Sequence, residues 1–158
     1  KRKPSLVLYL PYQVFSAVLF KAKIISRKKF KENFFSFLIS VKDLHLSEFW
    51  NQHQVKIKDW YLKQKQSDDL IISASPEFIL KEMTDRLDIK LMGTRMNPQT
   101  GKIDGENCRA EEKVKRFHQS YPNVEINKFY SDSKSDAPLK LISKQAYLVK
   151  GNELQEWE

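Results

Sequence analysis

Residues 67–158 alternate between short apolar runs and helical segments. This alternation limits the folds that the chain can adopt more than any other feature of the sequence. The runs at residues 70–73, 89–94 and 125–130 are rich in β-branched and aromatic side chains. Strands that are buried on both faces of a sheet have this composition. Helices are predicted between the runs, at residues 76–87 and 109–120. A strand–helix–strand order of this kind predicts a parallel α/β sheet.

Smaller signals refine this prediction. Ser75 is expected to cap the helix that begins at Pro76, because serine is a favoured N-cap and proline suits the first helical turn. Residues 97–101, NPQTG, predict a turn inside a hairpin. We expect a short helix over residues 136–144 and a last strand over residues 146–150.

Residues 5–65 show no strand pattern and are predicted to be helical. Ser26 is a plausible cap for a helix over residues 27–39, and Ser47 for the next one, each followed by aromatic residues at helical spacing. Such aromatic stripes usually pack into a core. A chain of 158 residues suits one domain with a small addition. We therefore predict an all-helical domain over residues 1–66 and an α/β domain over residues 67–158.

Charge supports the same division. Residues 1–66 carry 14 lysines and arginines against 4 acidic residues, whereas residues 67–158 carry 14 against 16. The basic half could attract phosphates, nucleic acid or an anionic membrane. The simpler explanation, which we favour, is a set of lysine-rich helices that keep the protein soluble. The single cysteine, Cys108, excludes a disulfide framework and indicates a reducing compartment, so we expect a cytoplasmic protein.

The basic residues 1–3 precede an apolar run over residues 6–20, an order that superficially matches a signal peptide. The run contains Pro11 and Gln13 and ends without a small-residue cleavage site. It is also shorter than the ~20 residues that cross a bilayer, so no membrane span is expected. We predict a buried or partly buried helix that Pro11 bends or restarts, with an interfacial membrane helix as the alternative.

Polar residues follow the predicted strands at the ends where parallel sheets bind ligands. Ser73 ends the first run, Asp132 and Asp136 follow the third, and Lys113 lies in the first turns of the helix after the hairpin. A hydroxyl and an ammonium can hold phosphate oxygens, and two carboxylates can hold Mg²⁺. Each residue alone has an ordinary structural explanation, as a cap, a turn residue or a surface lysine. Their joint placement points to phosphate chemistry.

Three segments together resemble the later three motifs of haloacid dehalogenase-like phosphatases. They are IISASPEF at residues 71–78, GENCRAEEKV at residues 105–114 and FYSDSKSD at residues 129–136. The match is closest to the branch resembling phosphoserine phosphatase. This resemblance implies a Rossmann-like parallel sheet with an all-helical cap over residues 1–66. It also implies a Mg²⁺-dependent phosphomonoester hydrolase that acts on a small phosphorylated metabolite.

The resemblance further implies a role for each motif residue. Ser73 would bond the transferring phosphoryl group, and Ser75 would contact the substrate. Lys113 would neutralise charge on the phosphoryl group. Asp132 would bind Mg²⁺, with Asp136 supporting the metal.

The chain departs from the family pattern at three places. Ser131 precedes the metal-binding aspartate where the family often has glycine, and Arg109 lies close to where some relatives place their basic group. We prefer Lys113 and keep Arg109 as an alternative phosphate or substrate contact.

No Asp-x-Asp occurs in the 158 residues, although the family's nucleophile is the first aspartate of that motif, on the first core strand. We therefore expect the first core strand to be absent from this chain and the chain to be inactive as it stands. Missing upstream residues are the favoured reason, with a cut form or a natural pseudo-enzyme as alternatives.

A function of a different class stays open beside this one. The basic helical half could make the protein a non-catalytic binding module for nucleic acid or an anionic membrane surface. Charge alone supports that alternative, since no helix-turn-helix, RNA-binding or zinc-finger signature is present. We therefore expect a small phosphorylated substrate and no nucleic acid as the partner. The oligomeric state is not indicated.

Overall fold

Helices form the first part of the chain, and strands begin only at Leu70. The computed structural model describes residues 4–158, so the basic residues 1–3 of the signal-like start lie outside the described part. The helical elements before Leu70 are a 3₁₀ segment at Pro4–Tyr9, α1 (Leu10–Lys21), α2 (Arg27–Phe34), a 3₁₀ segment at Phe35–Ser40, α3 (Leu46–His53), a 3₁₀ turn at Gln54–Lys56 and α4 (Asp59–Gln64).

Strands and helices alternate in the second part of the chain. The elements are β1 (Leu70–Pro76), α5 (Glu77–Leu87), β2 (Lys90–Thr94), α6 (Glu111–Ser120), β3 (Ile126–Ser131), a 3₁₀ turn at Lys134–Asp136, α7 (Ala137–Leu141), β4 (Ser143–Lys150) and β5 (Glu153–Glu156). The predicted α/β class with parallel strand pairs is confirmed. β5 has no counterpart in the prediction, and the helix expected over residues 136–144 is shorter.

The prediction that Ser75 caps a helix is wrong. Ser75 belongs to β1, in the stretch where the register with β2 shifts between the pairs Ile72–Met92 and Pro76–Thr94. Helix α5 therefore begins at Glu77, and its N-cap, Pro76, offers no side-chain hydrogen bond.

The two caps predicted in the helical half have different outcomes. Ser26 caps α2 as expected, since its Oγ accepts a hydrogen bond from the amide of Lys29 at 3.1 Å. Ser47 lies inside α3, whose N-cap is His45 in the left-handed conformation at φ 49°. The helix predicted over residues 27–39 changes to 3₁₀ geometry after Phe34.

The strands form two sheets and not one. β1 pairs in parallel with β2, with Leu70 opposite Lys90, and β3 pairs in parallel with β4, which pairs antiparallel with β5. Across residues 4–158 no strand lies between β1 and β3. Residues 70–72 of β1 and 126–130 of β3 instead line a shared cavity of about 580 Å³. We call this cavity the β1–β3 cleft.

A hydrophobic cluster joins the helical part to the loop that follows β2. Leu38, 1% exposed, packs with Met96 and Ile103. The amide of Ile103 also donates to Glu32 Oε1 at 3.0 Å. The helices and the α/β part therefore share a core at the place where β2 ends.

Gly101 lies where the loop after β2 meets the helical part. Substitution of this glycine tests how closely the two are packed. Its φ is +69°, and a Cβ added there would lie 2.5 Å from the carbonyl oxygen of Phe35. Gly105 has a similar φ of +76°, but no atom lies within 4 Å of its added Cβ. Each Gly→Ala change should lower the free energy of unfolding by about 1–2 kcal/mol, because alanine is strained at a positive φ. Gly101→Ala should lower it by a further ~1–3 kcal/mol, because the added Cβ would force the backbone at Phe35 to move. Urea unfolding of both variants measures the difference, and equal losses would contradict a tight contact.

Candidate active site

A buried ion pair lies beside the loop that follows β3. Lys113, in the first turn of α6, donates from Nζ to Asp136 Oδ2 at 2.7 Å, and the two side chains are 7% and 13% exposed. The hydroxyl of Ser131 donates to the same carboxylate oxygen at 2.9 Å. The structure thus brings together Lys113 and Asp136, which lie 23 residues apart in the sequence.

Arg116 fixes the orientation of α6 and hence of Lys113. The buried guanidinium of Arg116 donates to the carbonyl oxygens of Gly93 and Glu106, both at 2.7 Å. Its Nε donates to Glu112 Oε1 at 2.8 Å within α6. These charge-assisted bonds attach α6 to the end of β2 and to the loop before α6.

Asp132 is the first residue after β3, and its side chain is exposed. Its serine neighbours turn the loop back on itself: Ser131 Oγ accepts from the amide of Ser133 at 3.1 Å, and Ser133 Oγ accepts from the amide of Ser135 at 3.3 Å. No ion pair involves the Asp132 carboxylate within the described part of the chain. The loop therefore presents this carboxylate to solvent.

The donor set at this loop suits Mg²⁺. Two carboxylates, Asp132 and Asp136, are available, and Asp136 uses only Oδ2 for Lys113 and Ser131. Mg²⁺ usually takes one or two protein carboxylates and keeps several waters. No group of three or more His, Cys, Asp or Glu side chains suited to a metal occurs among residues that the structure describes. This loop therefore offers two carboxylates, and a Mg²⁺ ion bound there would need water or further oxygen ligands.

The remaining predicted site residues lie on two other segments. Ser73 Oγ, near the end of β1, accepts a hydrogen bond from the amide of Ser75 at 3.1 Å, so its hydroxyl proton stays free to donate. The side chain of Ser75 is exposed. Arg109 is half-buried in the loop before α6, where its carbonyl accepts from the amide of Glu112. It is Lys113, and not Arg109, that contacts Asp136.

Sequence reasoning missed a further cation, Lys31. This lysine belongs to α2, yet its Nζ reaches the ends of β1 and β2 and donates to the carbonyl oxygen of Ala74. It also donates to Asn107 Oδ1 at 2.7 Å and to Thr94 Oγ1 at 3.3 Å. Burial lowers the pKa of Lys31 to about 8. Its hydrogen-bond partners in the described chain are neutral, so its charge is not compensated by a carboxylate there.

Cys108 lies beside this lysine and is fully buried. Its amide donates to Thr94 Oγ1 at 3.1 Å, and burial raises the pKa of its thiol. The thiol is therefore neutral near pH 7 and leaves the positive charge of Lys31 uncancelled. No motif in the sequence marks Lys31, because its position depends on how α2 packs against the strands.

Comparisons with known proteins identify the family of the chain. A family model described as haloacid dehalogenase-like hydrolase matches residues 5–139. Protein CicA from two strains of Caulobacter vibrioides, NA1000 / CB15N and ATCC 19089 / CIP 103742 / CB 15, is 33% identical to the chain over 81 residues. That match covers 47% of this chain and 36% of each relative. No solved structure matches significantly.

The family match covers most of the chain, including the segments that carry Ser73, Lys113, Asp132 and Asp136. The alternation of strands and helices and the parallel strand pairs are consistent with this match. The chain belongs to the haloacid dehalogenase-like hydrolase family.

Proposed function

We propose that the protein is a Mg²⁺-dependent phosphomonoester hydrolase, similar to phosphoserine phosphatase, that acts on a small phosphorylated metabolite. The observation that carries this proposal is the Lys113–Asp136 pair beside the solvent-facing Asp132. An ammonium and two carboxylates at one strand end suit a phosphate group together with a divalent cation. Asp136 also lines the β1–β3 cleft, which connects this charged cluster to the gap between the two sheets.

The nucleophile would lie on a strand that occupies the β1–β3 cleft. The 158 residues contain no Asp-x-Asp, so that strand would come from outside them. Support comes from the cleft itself, which is lined by residues 70–72 of one strand and 126–130 of another. A strand seated there would bring its carboxyl end next to Asp136. It would also join the two sheets into one.

The chemistry follows from the residues around that position. An aspartate of the seated strand would attack phosphorus, forming a P–O bond to the protein while the ester P–O bond breaks. A second aspartate would protonate the leaving oxygen and later deprotonate the water that releases phosphate. Lys113 has three N–H donors, and the one used on Asp136 leaves two for phosphoryl oxygens. Ser73 would donate its hydroxyl proton to a further phosphoryl oxygen. Asp132 would hold Mg²⁺, which would supply additional neutralisation of phosphoryl charge.

Lys31 would be the residue by which the helical part contacts the substrate. Its ammonium lies at the ends of β1 and β2 among neutral acceptors, so an anionic substrate group could exchange with one of those acceptors. The helices would then both cover the site and select anionic substrates.

The test compares two forms of the protein by release of p-nitrophenol from its phosphate ester in the presence of Mg²⁺. The 158-residue chain alone should show no turnover. A form extended by an Asp-x-Asp segment encoded upstream should turn over, and the same form with asparagine at the first aspartate should not. Turnover by the 158-residue chain that Ser73→Ala abolishes would mean that another residue attacks phosphorus.

Asp132→Asn in the extended form should lower both turnover and Mg²⁺ affinity. The change keeps the size of an exposed side chain and removes its charge, so the fold should survive. Turnover should fall by at least ~100-fold if the charge acts as in other electrostatically stabilised sites. Asp104→Asn, another exposed aspartate, is the matched control and should bind Mg²⁺ like the parent in isothermal titration. Parent-like Mg²⁺ binding by Asp132→Asn would remove Asp132 from the metal site.

Lys113→Met should reduce turnover and leave Mg²⁺ binding intact or tighter, because a cation beside the metal is removed. Lys115→Met is the matched control, since Lys115 lies on the same helix with a side chain that is 63% exposed. We expect at least ~100-fold loss of turnover for the first variant and little change for the second. Equal effects of the two substitutions would show that Lys113 has no special role.

The KM for an anionic substrate should rise as the pH is raised through about 8, the pKa of Lys31. Below that pH Lys31 is protonated and attracts the anion, whereas above it the charge is lost. Lys31→Met should raise KM ~10-fold or more near neutral pH, the effect of one charge-assisted hydrogen bond, and should flatten the profile. Lys29→Met, on the same helix and exposed, should keep the parent profile. A change in kcat without a change in KM would contradict this role.

A further inference from the structure

The segment formed by the 3₁₀ turn Pro4–Tyr9 and helix α1 exposes large apolar side chains to solvent. Leu8 is 80% exposed, Val14 63% and Phe15 59%. We call the exposed apolar side chains of this segment and the turn after it the outer face; its members are Val7, Leu8, Leu10, Tyr12, Val14, Phe15, Val18 and Ile24. The run over residues 6–20 is partly buried, as expected, but most of its large apolar side chains are exposed.

The side of the segment that packs against the protein combines polar contacts with apolar ones, such as the stacking of Phe20 on Phe30 at 5.0 Å. Ser16 is fully buried and accepts a hydrogen bond from Asn33 Nδ2 at 3.0 Å. Gln13 donates to the carbonyl oxygen of Phe34 at 2.8 Å, and the hydroxyl of Tyr9 lies 2.6 Å from Ser40 Oγ. A surface helix in water normally buries its apolar stripe and exposes its polar one. Helix α1 instead buries Ser16 and exposes several large apolar side chains, which suits a helix whose outward side faces hydrocarbon.

Basic side chains border the outer face at its carboxyl end. Lys21, Lys23, Arg27 and Lys29 are all exposed. They belong to a half of the chain that carries 14 basic residues against 4 acidic ones. An apolar helix face with a cationic border fits the headgroup region of a bilayer that contains anionic lipids.

The segment would lie along the bilayer surface. α1 has 12 residues, which corresponds to about 18 Å of helix and is too short for a hydrocarbon core of about 30 Å. No helix in the described part of the chain has the length and apolar character of a membrane span. The hydrogen bonds of Gln13 and Ser16 also hold one side of α1 against α2 and the segment after it.

We propose that the outer face docks the protein on the surface of an anionic lipid bilayer. The occupant is the bilayer and not a second copy of the chain, because two outer faces would bring two strongly basic halves together and repel. This inference is independent of the proposed hydrolase activity, since no residue of the outer face belongs to the candidate active site.

Vesicle flotation tests the proposal directly. The purified protein should float with vesicles of phosphatidylcholine and phosphatidylglycerol and much less with phosphatidylcholine alone. The double variant Val14→Glu, Phe15→Glu should lose at least ~10-fold in partition, because two apolar contacts are replaced by charges that the lipid repels. The matched control is Val55→Glu, Leu141→Glu, whose positions are 82% and 79% exposed outside the outer face. Equal losses for the two double variants, or no binding by the parent, would overturn the proposal.

Two further measurements separate the apolar and charge contributions. Lys21→Glu, Lys23→Glu should weaken the preference for the anionic vesicles and its dependence on salt. The chain has three tryptophans of its own, so quenching is compared with the parent: brominated lipids should quench more of the fluorescence of Phe15→Trp, whereas Val55→Trp should show no such increase. Light scattering without lipid gives the remaining outcome. A stable dimer that Val14→Glu, Phe15→Glu dissociates, together with absence of vesicle binding, would assign the outer face to a second copy and overturn the proposal.

Discussion

The buried pair of Lys113 and Asp136 is the interaction on which the rest of the site depends. A charge removed from water is costly unless an opposite charge and further hydrogen bonds compensate it. Here Asp136 Oδ2 accepts from both Lys113 Nζ and Ser131 Oγ, and the lysine is in turn positioned by a helix that Arg116 attaches to the end of β2. The pair therefore ties β2, α6 and the loop after β3 into one arrangement.

The β1–β3 cleft is where the proposed active site would be completed. Two parallel strand pairs approach the cleft from opposite sides, and Asp136 and Leu139 close it near the loop that follows β3. An unpaired strand edge exposes backbone donors and acceptors and invites another strand. A strand in the cleft would satisfy both edges at once. Assembly of the sheet and assembly of the proposed active site would then be the same event.

Much of this could be predicted from sequence, because local patterns report local structure. The apolar β-branched runs predicted β1, β2 and β3, and the spacing of the motifs placed Lys113 and Asp136 near one another. The chemistry of Ser75 predicts a helix N-cap, whereas β1 extends through this residue to Pro76, which pairs with Thr94. Lys31 and the outward face of α1 could not be predicted, since both depend on how helices pack. The one hint in the sequence is Gln13 and Ser16 within an apolar run, and both side chains bond the neighbouring helical segments.

Hydrogen–deuterium exchange at the two facing strands tests the central claim, that the β1–β3 cleft receives an Asp-bearing strand. In the 158-residue chain, the amides of residues 70–72 and 126–130 that are not used by β2 or β4 should exchange rapidly. In the form extended by an Asp-x-Asp segment, those amides should become protected, while the amides of the exposed strand β5 should not change. Equal exchange at β1 and β3 in the two forms would show that no strand enters the cleft.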